Sequence, residues 1–162
     1  MHGTATLATT DAIASIILDE KTFLRRSEEV ERERATAITD LLAHNRFRPD
    51  QMGDGPYHVS LSLNDNRLIF WIHSESSSEK QEIALSVAPF KRIIKDYFLM
   101  YESYQEALIS AEPHRLEAID MGRRGIHNEG SELLQDQLNG KITLDFDTAR
   151  RLFTLICVLH IK

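Results

Sequence analysis

The sequence predicts an α+β fold, with a mainly antiparallel sheet built around one hairpin and covered by three to four helices. Three observations carry this. Apolar residues alternate with polar ones through two runs between residues 57 and 72, the period of a half-buried strand. Apolar residues recur at helical spacing over 30–42, 90–108 and 116–138. The stretch 152–159 is apolar nearly all round, as a central, buried helix would be.

In chain order, residues 1–11 are rich in Thr, Ala and Gly and read as a flexible tail ahead of one domain over 12–162. Ile13, Ile16, Ile17 and Leu18 form a short apolar run, read as a strand. Ser27 before Glu28 and Glu29 is an N-cap followed by acids that suit the helix dipole. Val30, Arg34, Ala37, Ile38, Leu41 and Leu42 then trace one face of a helix ending before Pro49. Glu31, Arg32, Glu33 and Asp40 crowd its opposite face. Tyr57, Val59, Leu61 and Leu63 make a strand, and Asn64-Asp65-Asn66 a tight turn. Leu68, Phe70 and Ile72 make the return strand. After a polar, Ser-rich loop at 75–80, Ile83, Leu85 and Val87 suggest a third strand.

Ser86 and Pro89 open the clearest helix, whose stripe runs through Phe90, Ile93, Ile94, Tyr97, Phe98, Tyr101 and Leu108. A break near Ser110 and a restart at Pro113 are expected, with Gly140 as C-cap. Ile142, Leu144 and Phe146 fit a short strand. Asp145 or Asp147 caps the last helix. The order reads β-α-β-β-β-α-α-β-α.

Composition excludes several function classes. With 162 residues, 42% apolar and 27% charged, the chain is an ordinary globular protein long enough to bury a sizeable core. Its 19 basic and 25 acidic residues give a net charge of -6, which argues against general nucleic-acid binding but leaves room for a local basic patch. One cysteine cannot form an internal disulfide, and Cys157 among apolar neighbours reads as a buried, inert thiol. No run approaches the ~20 apolar residues of a membrane helix. A cytoplasmic, bacterial protein without membrane attachment is the expectation. There is no Walker loop, dinucleotide fingerprint, nucleophile elbow or zinc-spaced Cys/His cluster, so no cofactor and no metal are expected.

One segment breaks helical rules. Residues 120–132 lie within a helical pattern yet hold Gly122, Gly125 and Gly130, each costing about 1 kcal/mol against alanine. Either close helix packing or a kink that presents polar side chains would offset the cost. Asp120, Arg124, His127 and Ser131 fall on one stripe, with Asn128 and Glu132 beside it. Arg123 or Arg124 suits a phosphate or carboxylate. His127, with Glu129 or Glu132, is the candidate for proton transfer. The alternative is an Asp120–Arg124 ion pair and local bridging. Arg150 and Arg151 interrupt the last helix and face either a carboxylate such as Glu129 or Glu132, or a ligand.

Three blocks carry a family resemblance: Lys95-Asp96-Tyr97-Phe98, residues 118–134 around Asp120-Met121-Gly122-Arg123-Arg124-Gly125-Ile126-His127-Asn128-Glu129-Gly130-Ser131-Glu132, and residues 145–157 around Asp147-Thr148-Ala149-Arg150-Arg151. They resemble the uncharacterised protein family 0262 of alphaproteobacteria, over nearly the whole chain beyond the tail. The resemblance implies a bacterial, cytoplasmic, single-domain protein and supplies no catalytic residue.

Two functions fit the residues. The first is a non-catalytic interaction or regulatory protein, using the 120–132 and 147–151 surface to dock a protein partner or a second copy as a homodimer. The second is a protein or enzyme acting on a small anionic, phosphorylated ligand. Its site would combine Asp120, Arg123, Arg124, Asn128, Ser131, Arg150 and Arg151 with His127.

Overall fold

The hairpin forms as the alternation requires. In a computed structural model that describes residues 10–19, 28–110 and 112–160 (the side chains of residues 29 and 30 excepted), β3 (Tyr57–Asn64) turns into β4 (Arg67–Ser74). Asp65 takes the left-handed conformation at the turn, φ 57°. The pairs Val59–Ile72, Leu61–Phe70 and Leu63–Leu68 put the apolar residues of both strands on one face. β5 (Lys80–Ser86) extends that face through Leu68–Leu85 and Phe70–Ile83.

The sheet is completed on its other side by β1 (Ile13–Leu18), which runs parallel to β3 with Ile16 against Val59 and Leu18 against Leu61. The order is β1-β3-β4-β5, so two of the three pairings are antiparallel and one is parallel. That parallel pair has a topological cause. The chain between β1 and β3 passes through α1 (Glu28–Ala43), and a helical crossover returns a strand in the direction it left. The tail expected over 1–11 and the Ser27 cap lie largely or wholly outside the described residues.

A second, two-stranded sheet pairs β2 (Phe47–Pro49) with β6 (Ile142–Leu144), placing Phe47 opposite Leu144. β2 is absent from the sequence-based element order. Three residues are too few to show alternation, and only the distant partner makes this a strand.

α2 (Lys91–Ser110) follows a 3-10 turn at Ala88–Phe90, and α3 (Pro113–Leu138) follows after the expected break. α3 is continuous, so its glycines mark no interruption. Two of them mark close packing. A Cβ at Gly130 would overlap the Phe153 ring, with Cδ1 at 2.6 Å, and one at Gly122 would stand 2.5 Å from Met100 Cε. Gly125 has nothing within 4 Å. Gly140 ends this region at φ 81°, in the conformation that favours glycine.

α4 (Phe146–Leu159) is the centre of the helical layer, packed against both α1 and α3. Asp145 caps it, its carboxylate accepting from the Thr148 N–H at 3.0 Å. Leu152, Phe153, Leu155, Ile156, Cys157 and Val158 are fully or almost fully buried. All of these but Val158 join Tyr57, Phe70, Leu134 and Leu138 in one core between sheet and helices. Burial pushes the Cys157 thiol well above its ordinary range, which keeps it protonated.

An arginine-lined cleft between three helices

The polar side of α4 is where the helical layer opens. Asp147, Arg150, Arg151 and Thr154 are spaced i, i+3, i+4 and i+7, so they share the one face that carries no core. Arg123 and His127 of α3 come from one side at i, i+4. Arg32, Thr36 and Asp40 of α1 come from the other at i, i+4, i+8, with Glu33 beside them. Together these residues line a cleft of about 610 Å³.

His127 is half-buried in the α3 wall. Its ring lies edge-on to Tyr97 at 5.4 Å and to Phe153 at 6.0 Å, and Thr154 Oγ1 is 3.5 Å from Nδ1. Burial lowers its pKa to about 4, and the positive fields of Arg150 and Arg123 push the same way. The imidazole is therefore neutral at physiological pH, offering one donor and one acceptor. Tyr97, deeply buried, donates its hydroxyl to Glu33, and burial with that carboxylate raises its pKa.

The arginines are held in different ways. Arg151 donates to the His44 carbonyl at 3.1 Å. Arg123 lies over the Tyr104 ring, 4.6 Å from its centroid. Among the described residues, neither Arg123 nor Arg150 is paired with a carboxylate.

Of the residues singled out in the sequence, Arg123, His127, Arg150 and Arg151 converge here. The others do not line the cleft. Arg124 pairs with Asp120 at 2.8 Å, with the guanidinium mostly in solvent. Ser131 is buried and donates back to the His127 carbonyl. Asn128 and Glu132 are exposed elsewhere on α3. Glu129 pairs with Arg92 of α2, so it is not the partner of Arg150 or Arg151. The expected stripe Asp120-Arg124-His127-Ser131 is thus divided between an ion pair, a cleft wall and a buried helix bond. At about 100° per residue these four positions stay within about 60° of one another, so they do share a face; what changes is the surroundings of α3, which is exposed around Asp120 and Arg124 and buried at Ser131.

The α1 wall is the part that the sequence reading missed. Arg32, Glu33 and Asp40 read as a solvated face, and only the four-residue spacing of Arg32, Thr36 and Asp40 hints that they act together. A second recess of about 550 Å³ lies on the open sheet face, where Ser15 Oγ is 2.6 Å from His58 Nδ1 and His58 Nε2 is 3.1 Å from Glu75. This hydroxyl–imidazole–carboxylate chain also escaped the sequence reading, because β1, β3 and a loop bring it together. Its carboxylate is 58% exposed, so water competes for the outer bond. Among the described residues no group of three or more His, Cys, Asp or Glu is placed to hold a metal ion, and no helix is long and apolar enough to cross a membrane.

These features define an α+β protein whose helical layer encloses an arginine-lined cleft around a neutral histidine. The chain belongs to the Uncharacterised protein family (UPF0262), whose profile matches residues 10–162. It is 55% identical over 148 residues to a UPF0262 protein of Rhizobium etli (strain CFN 42), covering 91% of this chain and 94% of the relative. A UPF0262 protein of Paramagnetospirillum magneticum is 53% identical over 150 residues, 93% of this chain and 96% of the relative. One of Xanthobacter autotrophicus is 51% identical over 151 residues, 93% and 92% respectively. No solved structure gives a significant match.

Proposed function

We propose that the protein is a cytoplasmic, non-catalytic binding protein for a small phosphorylated anion, held in the cleft between α1, α3 and α4. The observation that carries this reading is the placement of Arg123 and Arg150 on a concave surface without a carboxylate partner among the described residues. A guanidinium presents a planar fork of donors that matches phosphate oxygens. Two of them beside a neutral His127 form the cationic wall of the cleft, while the Thr154 hydroxyl donates to the Arg150 carbonyl. Four arginines against Glu33, Asp40 and Asp147 leave the lining with a small positive excess in a chain of net charge -6. The α1 carboxylates face the other side and suit hydroxyl or amino groups on the rest of the ligand. The carboxylates expected to exchange a proton with His127 are not available beside it, which favours binding over chemistry. Glu129 is engaged by Arg92, Glu132 lies outside the cleft, and Glu33 is already hydrogen-bonded to Tyr97.

Calorimetric titration with inorganic phosphate, pyrophosphate and a panel of sugar phosphates tests this. One-site binding to at least one of them is expected, weakened at least tenfold by Arg150→Gln, a loss of about 1.4 kcal/mol. No heat from any phosphate at millimolar concentration would sink the reading.

A further inference from the structure

The open face of the sheet carries an ordered row of polar side chains. Ser15 of β1 is opposite His58 of β3, His58 is opposite His73 of β4, and His73 is opposite Lys80 of β5. Ser15 reaches this row through a slip in register. Ile13 pairs with Tyr57 but Ser15 pairs with His58, so β1 uses two residues where β3 uses one. Regular alternation would turn Ser15 to the core side, where Ile13 and Tyr57 are buried. The extra residue moves it to the open side, as a bulge re-aims a side chain.

The contacts around His58 fix its tautomer. The Glu75 carboxylate only accepts, so His58 Nε2 donates to it across 3.1 Å. In the neutral ring Nδ1 then carries a lone pair, which accepts the Ser15 hydroxyl at 2.6 Å. His73 stacks on the ring at 5.0 Å, with 26° between the planes, and holds its orientation. Glu75 is anchored by its own N–H, which donates to the Pro56 carbonyl at 2.9 Å. A hydroxyl on a base that a carboxylate orients is the arrangement that activates a serine, whatever the fold that carries it. The next cross-strand row sets Ile17 against Ser60 and Ser60 against Trp71. Ile17 is 64% exposed and Trp71 47% exposed, and the Trp71 indole N–H donates to Ser62 Oγ at 3.2 Å. Both border the same recess of about 550 Å³ as Ser15 and His58.

We propose that Ser15 is an acyl-accepting nucleophile, modified by esters of short apolar acids whose chain lies on Ile17 and Trp71. The Ser15 oxygen adds to the ester carbonyl carbon as its proton passes to His58 Nδ1. The bond from that carbon to the alcohol oxygen then breaks, and the imidazolium returns the proton to the leaving oxygen. Acyl-Ser15 and the free alcohol result, with no other reactant. Glu75 faces the imidazolium and stabilises its charge. Ile17 is two residues from Ser15 on one strand, about 7 Å, within reach of a short chain. The core separates this face from the arginine-lined cleft, and the modification takes nothing from the binding proposed there.

Incubation of the full chain with p-nitrophenyl butyrate, read by p-nitrophenolate release and peptide mass mapping, tests this. A butyryl group on Ser15 is expected, and Ser15→Ala should remove it. His58→Gln should slow the labelling about 100-fold. Glu75→Gln, outside the strands, makes the same comparison without touching the sheet. It should slow labelling less, since that carboxylate is 58% exposed. Arg150→Gln, in the cleft, should leave it unchanged. Far-UV circular dichroism and the melting temperature establish that each variant is folded. The proposal is overturned by the absence of an adduct or by Ser60 and surface lysines labelled as fast as Ser15. Labelling that is unchanged in the folded His58 and Glu75 variants overturns it too.

Discussion

Gly130→Ala and Gly125→Ala are the same substitution in the same helix, and they should move stability in opposite directions. In a helix interior the change gains up to about 1 kcal/mol from backbone entropy alone. At Gly125, where nothing lies within 4 Å, that gain stands unopposed. At Gly130 the new methyl meets the Phe153 ring. Phe153 is fully buried, and its ring is edged by Tyr97 at 6.5 Å and His127 at 6.0 Å, so it has no space to retreat. Overpacking of this kind costs about 1–3 kcal/mol. The backbone gain is common to both, so the two variants should differ by the overpacking cost itself, about 1–3 kcal/mol. For a chain of this length that is roughly 2–12 °C in Tm, with Gly130→Ala the less stable. Urea titration and thermal melts monitored by circular dichroism read this directly. A Gly130→Ala protein as stable as Gly125→Ala would refute the reading of Gly130 as a packing device and, with it, the position of α3 against α4.

The neutral state of His127 has its own signature. Its folded pKa of about 4 lies below the ordinary value of 6.5. Between those values the unfolded chain takes up a proton that the folded chain refuses, so stability falls as pH falls through that window. The loss reaches about 3 kcal/mol at its acidic end and vanishes above pH ~7. His160, also lowered by burial, acts in the same direction, so the change in slope between wild type and His127→Gln isolates the His127 share. Urea titrations at several pH values measure it, and identical slopes would contradict a buried neutral imidazole. Asp145→Ala removes the α4 cap and should cost about 1 kcal/mol in the same assay, against no change if the Thr148 N–H finds another acceptor.

What could be read from the sequence follows from how local each signal is. The hairpin, the cap at Asp145, the restart at Pro113 and the end at Gly140 are set by residues a few positions apart, and each stands as expected. Strand β2 and the parallel partnership of β1 depend on pairing across tens of residues, which no local pattern encodes. The cleft was half legible. Arg123, His127, Arg150 and Arg151 stood out because arginines and glycines interrupt helical patterns. Arg32, Glu33, Thr36 and Asp40 did not, because on an amphipathic helix the polar face of a cleft wall and the polar face of a solvated surface look the same. Arg124 and Asp120 looked like site residues on spacing alone, yet the same spacing makes the i, i+4 ion pair that they form.

The most direct test of the anion-binding cleft is the titration of His127 itself, followed through its ring protons by NMR with and without saturating pyrophosphate. Alone, the ring should titrate near pH 4, held neutral by burial and by Arg150 and Arg123. An anion seated on those arginines cancels their field and offers the imidazolium an acceptor, so the midpoint should rise in wild type, while burial keeps it below the ordinary value, and should not respond in Arg150→Gln. A midpoint that does not respond to pyrophosphate, or an ordinary midpoint near 6.5 in the free protein, would contradict the account.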